Sequence, residues 1–209
     1  MADNQMQNSP AANLQARQLL LATAFPFVRK LGTFGPFSPG QSTQIQLDRV
    51  GIFTHIALDV SASVNITTAT TQSDVGPYNL LQNVQYSDFN TVKRVNTSGH
   101  LLYALQCVRR RRLSHEAYAA QTVAGLGQVD TNLQFPTALG AGTIAFRLDV
   151  PLAYRPDTDL RGAILAQTVV GDHFLNLTFA NSAVATDGTQ APYTAGAATI
   201  SNIYVTVYE

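Results

Sequence analysis

The chain has 209 residues, of which 12% are charged, and its 13 basic and 13 acidic side chains give a formal net charge of zero. This length can bury one large all-β domain or two small ones, and the charge balance argues against a general nucleic-acid-binding role, which usually shows a basic excess. A single cysteine, Cys107, excludes an internal disulfide framework and a zinc site built from several cysteines. So few charges and no net charge favour association, which indicates that other subunits cover much of the surface.

The first forty residues are predicted to form an N-terminal arm. Residues 1–12 are small and polar without periodicity, and Asn13 can cap a helix over about residues 13–25. Apolar residues lie near one stripe of this helix, as in an amphipathic segment that packs on a membrane, on another subunit or on its own domain. Residues 32–40 are rich in glycine and proline and are predicted to be an extended strap that leads to the body.

Residues 41–209 are predicted to form one domain of strands with a buried face and a solvated face. Polar and apolar side chains alternate from Ile52 to Asn65, the longest such run in the chain, and a period of two residues indicates a half-buried strand. Residues 67–73 and 180–198 are predicted loops, and residues 114–141 a long excursion with little regular structure. Counting the alternating segments gives seven or eight strands, which favours an all-β fold, an eight-stranded jelly-roll β-sandwich with short helices in its loops.

Two short helices are predicted within the body. The first follows the small polar residues 96–99 and runs to about Arg112. The second is capped by Asp157 or Thr158 and runs to Leu165, after an alternating strand that ends at Pro151.

Four successive arginines form the one run of charges, at the end of the first of these helices: Arg109, Arg110, Arg111 and Arg112. At successive helical positions they must point in several directions. They could bind phosphates of lipid headgroups or nucleic acid, pair with carboxylates of a neighbouring subunit, or form a solvated helix end that suits the helix dipole. All three interpretations stay open, and the run is a candidate for subunit contact or phosphate binding.

The sequence lacks the common catalytic and metal-binding patterns. Its four histidines include no His-x-His pair, so a cupin-type metal enzyme is disfavoured, and no P-loop or nucleophile elbow occurs. The spacing of Asp157, Asp159 and Asp172 fits helix capping better than a calcium loop. We therefore predict no enzyme, no cofactor and no metal.

Six segments in a fixed order are informative together: AANLQARQLLLATAFPFV, VGPYNLLQNVQYSD, NTSGHLLYAL, VPLAYRPDTDLRGAILA, LNLTFAN and ISNIYVTVYE. They resemble the major capsid protein of tectiviruses, the tailless icosahedral phages with an internal membrane. The resemblance runs from about Ala11 to Glu209 and contains no catalytic motif.

The resemblance implies a protein with two jelly rolls, of which this chain would be the N-terminal one and a fragment. It also implies trimers that tile a shell, with the virion capsid as location and with minor capsid and vertex proteins and inner membrane lipids as partners, but no specific nucleic acid. The N-terminal helix would lie on the inner side of the shell. Candidates for membrane or inner-shell contact are then Leu14, Arg17, Leu20, Leu21, Phe25, Arg29 and Lys30. The alternative is a jelly-roll binding module, such as a lectin or a receptor-binding spike.

Overall fold

The computed structural model describes residues 28–74, 76–110, 133–154, 161–166, 171–186 and 190–209. Within these ranges the chain forms ten strands, one α-helix and one short 3-10 helix. The strands are β1 (Lys30–Phe37), β2 (Ser42–Gln46), β3 (Ile52–Phe53), β4 (His55–Gln72), β5 (Leu81–Ser87), β6 (Lys93–Thr97), β7 (Gly140–Pro151), β8 (Ile164–Leu165), β9 (Phe174–Phe179) and β10 (Tyr193–Tyr208). The α-helix is α1 (Gly99–Arg110), and the 3-10 helix is Gly76–Leu80.

Two antiparallel four-stranded sheets make up the body, in the orders β1-β10-β4-β7 and β2-β9-β5-β6, and β3 pairs with β8 in a separate ribbon. The predicted all-β class is confirmed. The ten strands exceed the predicted eight by those of the ribbon, which have two residues each and are too short to show an alternating pattern.

The core lies between the two larger sheets. Along β4, alternate residues from Ile56 to Ile66 are buried, as the period of two predicts, and they meet the buried faces of β7 and β10 in the same sheet. Across the interface, β5 and β9 contribute their own alternating apolar residues, among them Tyr86, Leu175 and Phe179. Burial of this continuous apolar layer is the main stabilising term of the fold.

The predicted strap over residues 32–40 is wrong for its first part, because Lys30–Phe37 is an edge strand. Its register on β10 places Phe34 opposite Val205, and the ring of Phe37 stacks on Phe179 at 5.2 Å between centroids. An edge strand tolerates proline because one row of its N–H groups has no strand partner. Glycine is required at position 35, where φ is +128° and a Cβ would lie 2.5 Å from the Ile203 carbonyl oxygen.

The predicted loops over 67–73 and 180–198 are partly wrong, because β4 continues to Gln72 and β10 begins at Tyr193. Tyr193 lies opposite Gln72, so each strand supplies the hydrogen-bonding partner of the other. These stretches are rich in threonine, alanine and glycine and therefore carry no apolar alternation. The predicted excursion over 114–141 ends two residues too late, since β7 begins at Gly140.

The first predicted helix is confirmed as α1, which extends to Arg110 within the described residues. It begins against the 3-10 helix, where a Cβ on Gly99 would lie 2.4 Å from the Tyr78 carbonyl oxygen. Near its other end, the Gln106 side chain accepts a hydrogen bond from the Asp149 backbone N–H of β7 at 3.4 Å. The helix therefore runs alongside β7, from one end of the sandwich towards the other.

The second predicted helix is wrong for residues 161–165. Gly162 has a φ of +88°, and a Cβ there would lie 2.5 Å from the Leu152 carbonyl oxygen, so the chain turns at this point. Ile164 and Leu165 then pair with Phe53 and Ile52 as β8. The start of the predicted helix, and the arm helix predicted over 13–25, lie outside the described residues.

Candidate contact surfaces

The two ends of the sandwich differ, and we call them the proximal end and the distal end. The proximal end is where β1 begins and β10 ends, together with the loops of residues 47–54 and 88–92 and the start of β9. The distal end holds the turn of residues 38–41, the far ends of β4 and β9 and the starts of β7 and β10. Residues 1–27 lead into the proximal end, because Val28 and Arg29 directly precede β1.

At the proximal end, the side chain of Arg29 forms ion pairs with two carboxylates. The Arg29 guanidinium donates hydrogen bonds to Asp48 Oδ2 at 2.7 Å and to the carboxylate of Glu209, whose side chain is only 3% exposed. The backbones of Arg29 and Glu209 also exchange two hydrogen bonds of 2.8 and 2.9 Å. The hydrogen bond to Glu209, as the largest effect, raises the pKa of Arg29. The start of β1, the end of β10 and the loop after β2 are therefore tied together by one guanidinium.

A second carboxylate organises the turn between β5 and β6. Asp88 accepts hydrogen bonds from the backbone N–H groups of Asn90 and Val92, both at 3.0 Å, and from Arg94 Nε at 2.6 Å. Its side chain is 5% exposed. Burial alone would raise the pKa of Asp88, but these hydrogen bonds outweigh it and lower the pKa. One buried carboxylate therefore holds the turn between β5 and β6.

A buried histidine lies behind these clusters. His173 Nε2 lies 2.9 Å from the Asp48 carbonyl oxygen, so this nitrogen carries the proton and donates it. Nδ1 then accepts the hydrogen bond of the Tyr86 hydroxyl at 3.0 Å. The rings of Phe53 and Phe89 pack against the imidazole at 4.8 and 4.5 Å between centroids. Burial lowers the pKa of His173, more than the nearby carboxylates raise it. His173 therefore connects the loop after β2 to β5 and serves a structural role.

The helix α1 presents an apolar stripe to solvent. Leu102 on its inner face is buried, whereas Leu101, Leu105 and Val108 are 53%, 40% and 77% exposed. Their spacing of four and three residues places them on one side of the helix. Exposed aliphatic side chains at such spacing are typical of a surface that another protein covers.

The described residues offer no other obvious kind of site. Among them, no group of three or more histidine, cysteine, aspartate or glutamate side chains could hold a metal ion. No helix in the described ranges is long and apolar enough to cross a bilayer.

The chain is similar in sequence to known proteins over most of its length. A model of the family described as P3 major capsid protein N-terminal matches residues 2–208. The chain belongs to this family. It is 31% identical over 184 residues to the major capsid protein P3 of Enterobacteria phage PRD1, a match that covers 84% of this chain and 46% of that protein. The chain thus spans about half the length of this curated relative of the P3 N-terminal family.

Two solved structures share the fold of this family member. The STIV MCP matches with a TM-score of 0.54 and 16% identity, covering 87% of this chain and 47% of the other. A chain in the atomic structure of Sulfolobus Turreted Icosahedral Virus matches with a TM-score of 0.52 and 16% identity, covering 87% and 44%. At such low identity the likeness concerns the fold alone.

The predicted contact residues divide into two groups in this P3-type domain. Arg29 and Lys30 lie at the proximal end, at the start of β1, and Arg109 and Arg110 are the last two described residues of α1. The others lie outside the described residues: Leu14, Arg17, Leu20, Leu21, Phe25, Arg111 and Arg112. The structure brings Arg29 together with Asp48 and Glu209, which sequence reasoning missed, because residues so far apart in the chain meet only through strand pairing.

Proposed function

We propose that this chain is the N-terminal jelly-roll half of a major capsid protein, a structural component of the icosahedral shell of a membrane-containing phage. The observation that carries the proposal is membership of the P3 N-terminal family over residues 2–208. The curated relative is named a major capsid protein and supports the same role, and the chain covers about half of its length. We propose the virion capsid as its location and no catalytic role.

The strand order supports the finer assignment to an eight-stranded jelly roll. The long strands are shared between the two sheets, with β1, β4, β7 and β10 in one and β2, β5, β6 and β9 in the other. Apart from the β5–β6 hairpin, strands that pair within a sheet are not consecutive in the chain. Such long crossings between two four-stranded sheets are the hallmark of this architecture. In this assignment β3 and β8 are an addition formed by two connections, the one between β2 and β4 and the one between β7 and β9.

Contact with other copies of the protein, as trimers, is the mechanism we propose for assembly. The apolar stripe of α1 supports it, because Leu101, Leu105 and Val108 leave aliphatic surface exposed that association would bury. Minor capsid and vertex proteins would join the same shell. The arginines that follow the stripe, 109–112, remain candidates for pairing with carboxylates of a neighbour or for binding phosphates.

The N-terminal arm is proposed to face the inner membrane. Support comes from the position of Arg29 and Lys30, which places the connection to residues 1–27 at the proximal end. The amphipathic pattern over 13–25 would add Leu14, Arg17, Leu20, Leu21 and Phe25 to this contact.

Sedimentation velocity and electron microscopy of the full-length protein, produced with its natural partners, test the proposal. We expect trimers or shells. Removal of residues 2–27 should weaken assembly or membrane association while the sandwich stays folded, because β1 begins only at Lys30. A protein that stays monomeric at all concentrations and binds glycans would contradict the capsid role and favour the lectin-like alternative.

A further inference from the structure

Charged side chains are segregated along the long axis of the sandwich. Every described lysine and arginine lies in the proximal half or at the end of α1 that approaches it: Arg29, Lys30, Arg49, Lys93, Arg94, Arg109, Arg110, Arg147 and Arg161. In the described part of the distal half, Asp74 is the single acidic or basic residue. The chain has only two lysines, and both lie at the proximal end.

Two of the acids at the proximal end lie deeper than their basic partners, whereas Asp48 and Asp172 are 51% and 44% exposed. The carboxylates of Glu209 and Asp88 are almost fully buried, whereas Arg94, which pairs with Asp88, remains 57% exposed. Arg49 contacts Asp172 at 3.8 Å and also donates to the Gly171 carbonyl oxygen. Among the described residues, no ion pair involves Lys30 or Lys93. Lys30 and Lys93 are exposed and therefore present to solvent two cations that no described carboxylate pairs with.

Three exposed valines lie beside these bases. Val28 precedes Arg29, Val50 follows Arg49, and Val92 precedes Lys93, and each valine is at least half exposed. The three tips lie at one end of the molecule: Arg29 contacts Asp48, and Arg49 donates to the carbonyl oxygen of Gly171, where an added Cβ would lie 3.0 Å from the Phe89 carbonyl oxygen of the β5–β6 turn. Three separate segments thus present the same pair of chemical groups, a small aliphatic tip and a cation.

We propose that the folded proximal end itself is a lipid-binding surface that contacts anionic headgroups through Lys30, Arg49 and Lys93 and inserts Val28, Val50 and Val92 at the acyl boundary. This rests on the proposed function and deepens it, because it adds a contact made by the loops of the sandwich to the one expected of the arm. Basic residues attract anionic headgroups, and aliphatic tips gain from entering the interface. Nucleic acid would use the bases but would leave the valines exposed.

Vesicle co-sedimentation with the full chain tests this surface. The test variant carries Val50→Ser, Val92→Ser and Lys93→Gln, all at exposed positions in the two loops or at the start of β6, and outside the arm. The control is Leu139→Ser, which removes a still more exposed aliphatic side chain at the distal end. The probes are vesicles of phosphatidylglycerol and phosphatidylethanolamine in equal parts, vesicles of phosphatidylcholine alone, and duplex DNA.

We expect the unchanged chain to bind the anionic vesicles, more weakly as salt rises, and the triple variant to bind them at least about tenfold more weakly. Leu139→Ser should bind like the unchanged chain. Equal binding by the triple variant, equal loss in the control, or tighter binding to DNA than to vesicles would each overturn the assignment. Sedimentation velocity on the same samples separates the two proposals. Trimers without vesicle binding refute only the lipid surface, whereas an unchanged chain that stays monomeric at all concentrations and binds glycans refutes the capsid role.

Discussion

His173 links three parts of the proximal end through one imidazole ring. Its Nε2 proton is held by the Asp48 carbonyl oxygen and its Nδ1 lone pair by the Tyr86 hydroxyl. A second proton on Nδ1 would clash with the hydrogen of the Tyr86 hydroxyl. It would also place a charged imidazolium among the rings of Phe53, Phe89 and Tyr86. The sequence alone does not single out this histidine, because its burial depends on aromatic residues from separate segments.

The pKa shift of His173 predicts how stability depends on pH. Because burial lowers its pKa in the folded state below the ordinary value of 6.5, the unfolded chain binds more protons in the window between the two values. The contribution of His173 to the free energy of unfolding is thus complete above pH 6.5 and decreases as the pH falls through this window. The slope is at most about 1.4 kcal/mol per pH unit.

Urea unfolding at a series of pH values measures this effect. The nearby charges are Asp48, Asp172 and Glu209, which raise the His173 pKa by less than burial lowers it, and Arg29 and Arg49, which pair with them. We expect His173→Gln to remove the slope in this window and His100→Gln to retain it. An unchanged slope in His173→Gln would show that another group is responsible.

Among the elements, strands with alternating hydropathy are predictable and strands without it are not. The proximal half of β4 follows the alternation from Ile56 to Val64, and the last residues of β10 do the same. The distal halves of these two strands consist of threonine, alanine and similar small residues, so only their mutual pairing makes them strands. The edge strand β1 is not predictable either, because its glycines and its proline interrupt any alternation of polar and apolar residues.

The helix α1 allows inner and outer faces to be compared at adjacent positions. We expect Leu101→Ser with Leu105→Ser to change the free energy of unfolding by about 0.5 kcal/mol or less per site but to weaken self-association, since both side chains are exposed. Leu102→Ala should cost about 2–5 kcal/mol, because that side chain is only 2% exposed. Urea unfolding and sedimentation velocity measure the two effects. Full self-association by the double variant would exclude the stripe as a contact between copies.

For the whole molecule, the fold class and the family could be predicted from the sequence, whereas the asymmetry between the ends could not. The charged residues are scattered along the chain, and only the antiparallel course of the strands gathers them at the proximal end. Single alternating segments do not fix which loops share an end. Most of the described charged residues lie at the proximal end, whereas the distal end is polar and nearly uncharged, so the two ends of the sandwich differ in chemical character.

Cryo-electron microscopy of the particle that contains this protein tests the central claim most directly. We predict that the sandwich occupies many symmetry-related positions in the shell, with Arg29, Lys93 and Glu209 at the inner surface and the turn of residues 38–41 directed away from the membrane. A shell without this sandwich, or a particle that carries it only as a peripheral spike, would contradict the account.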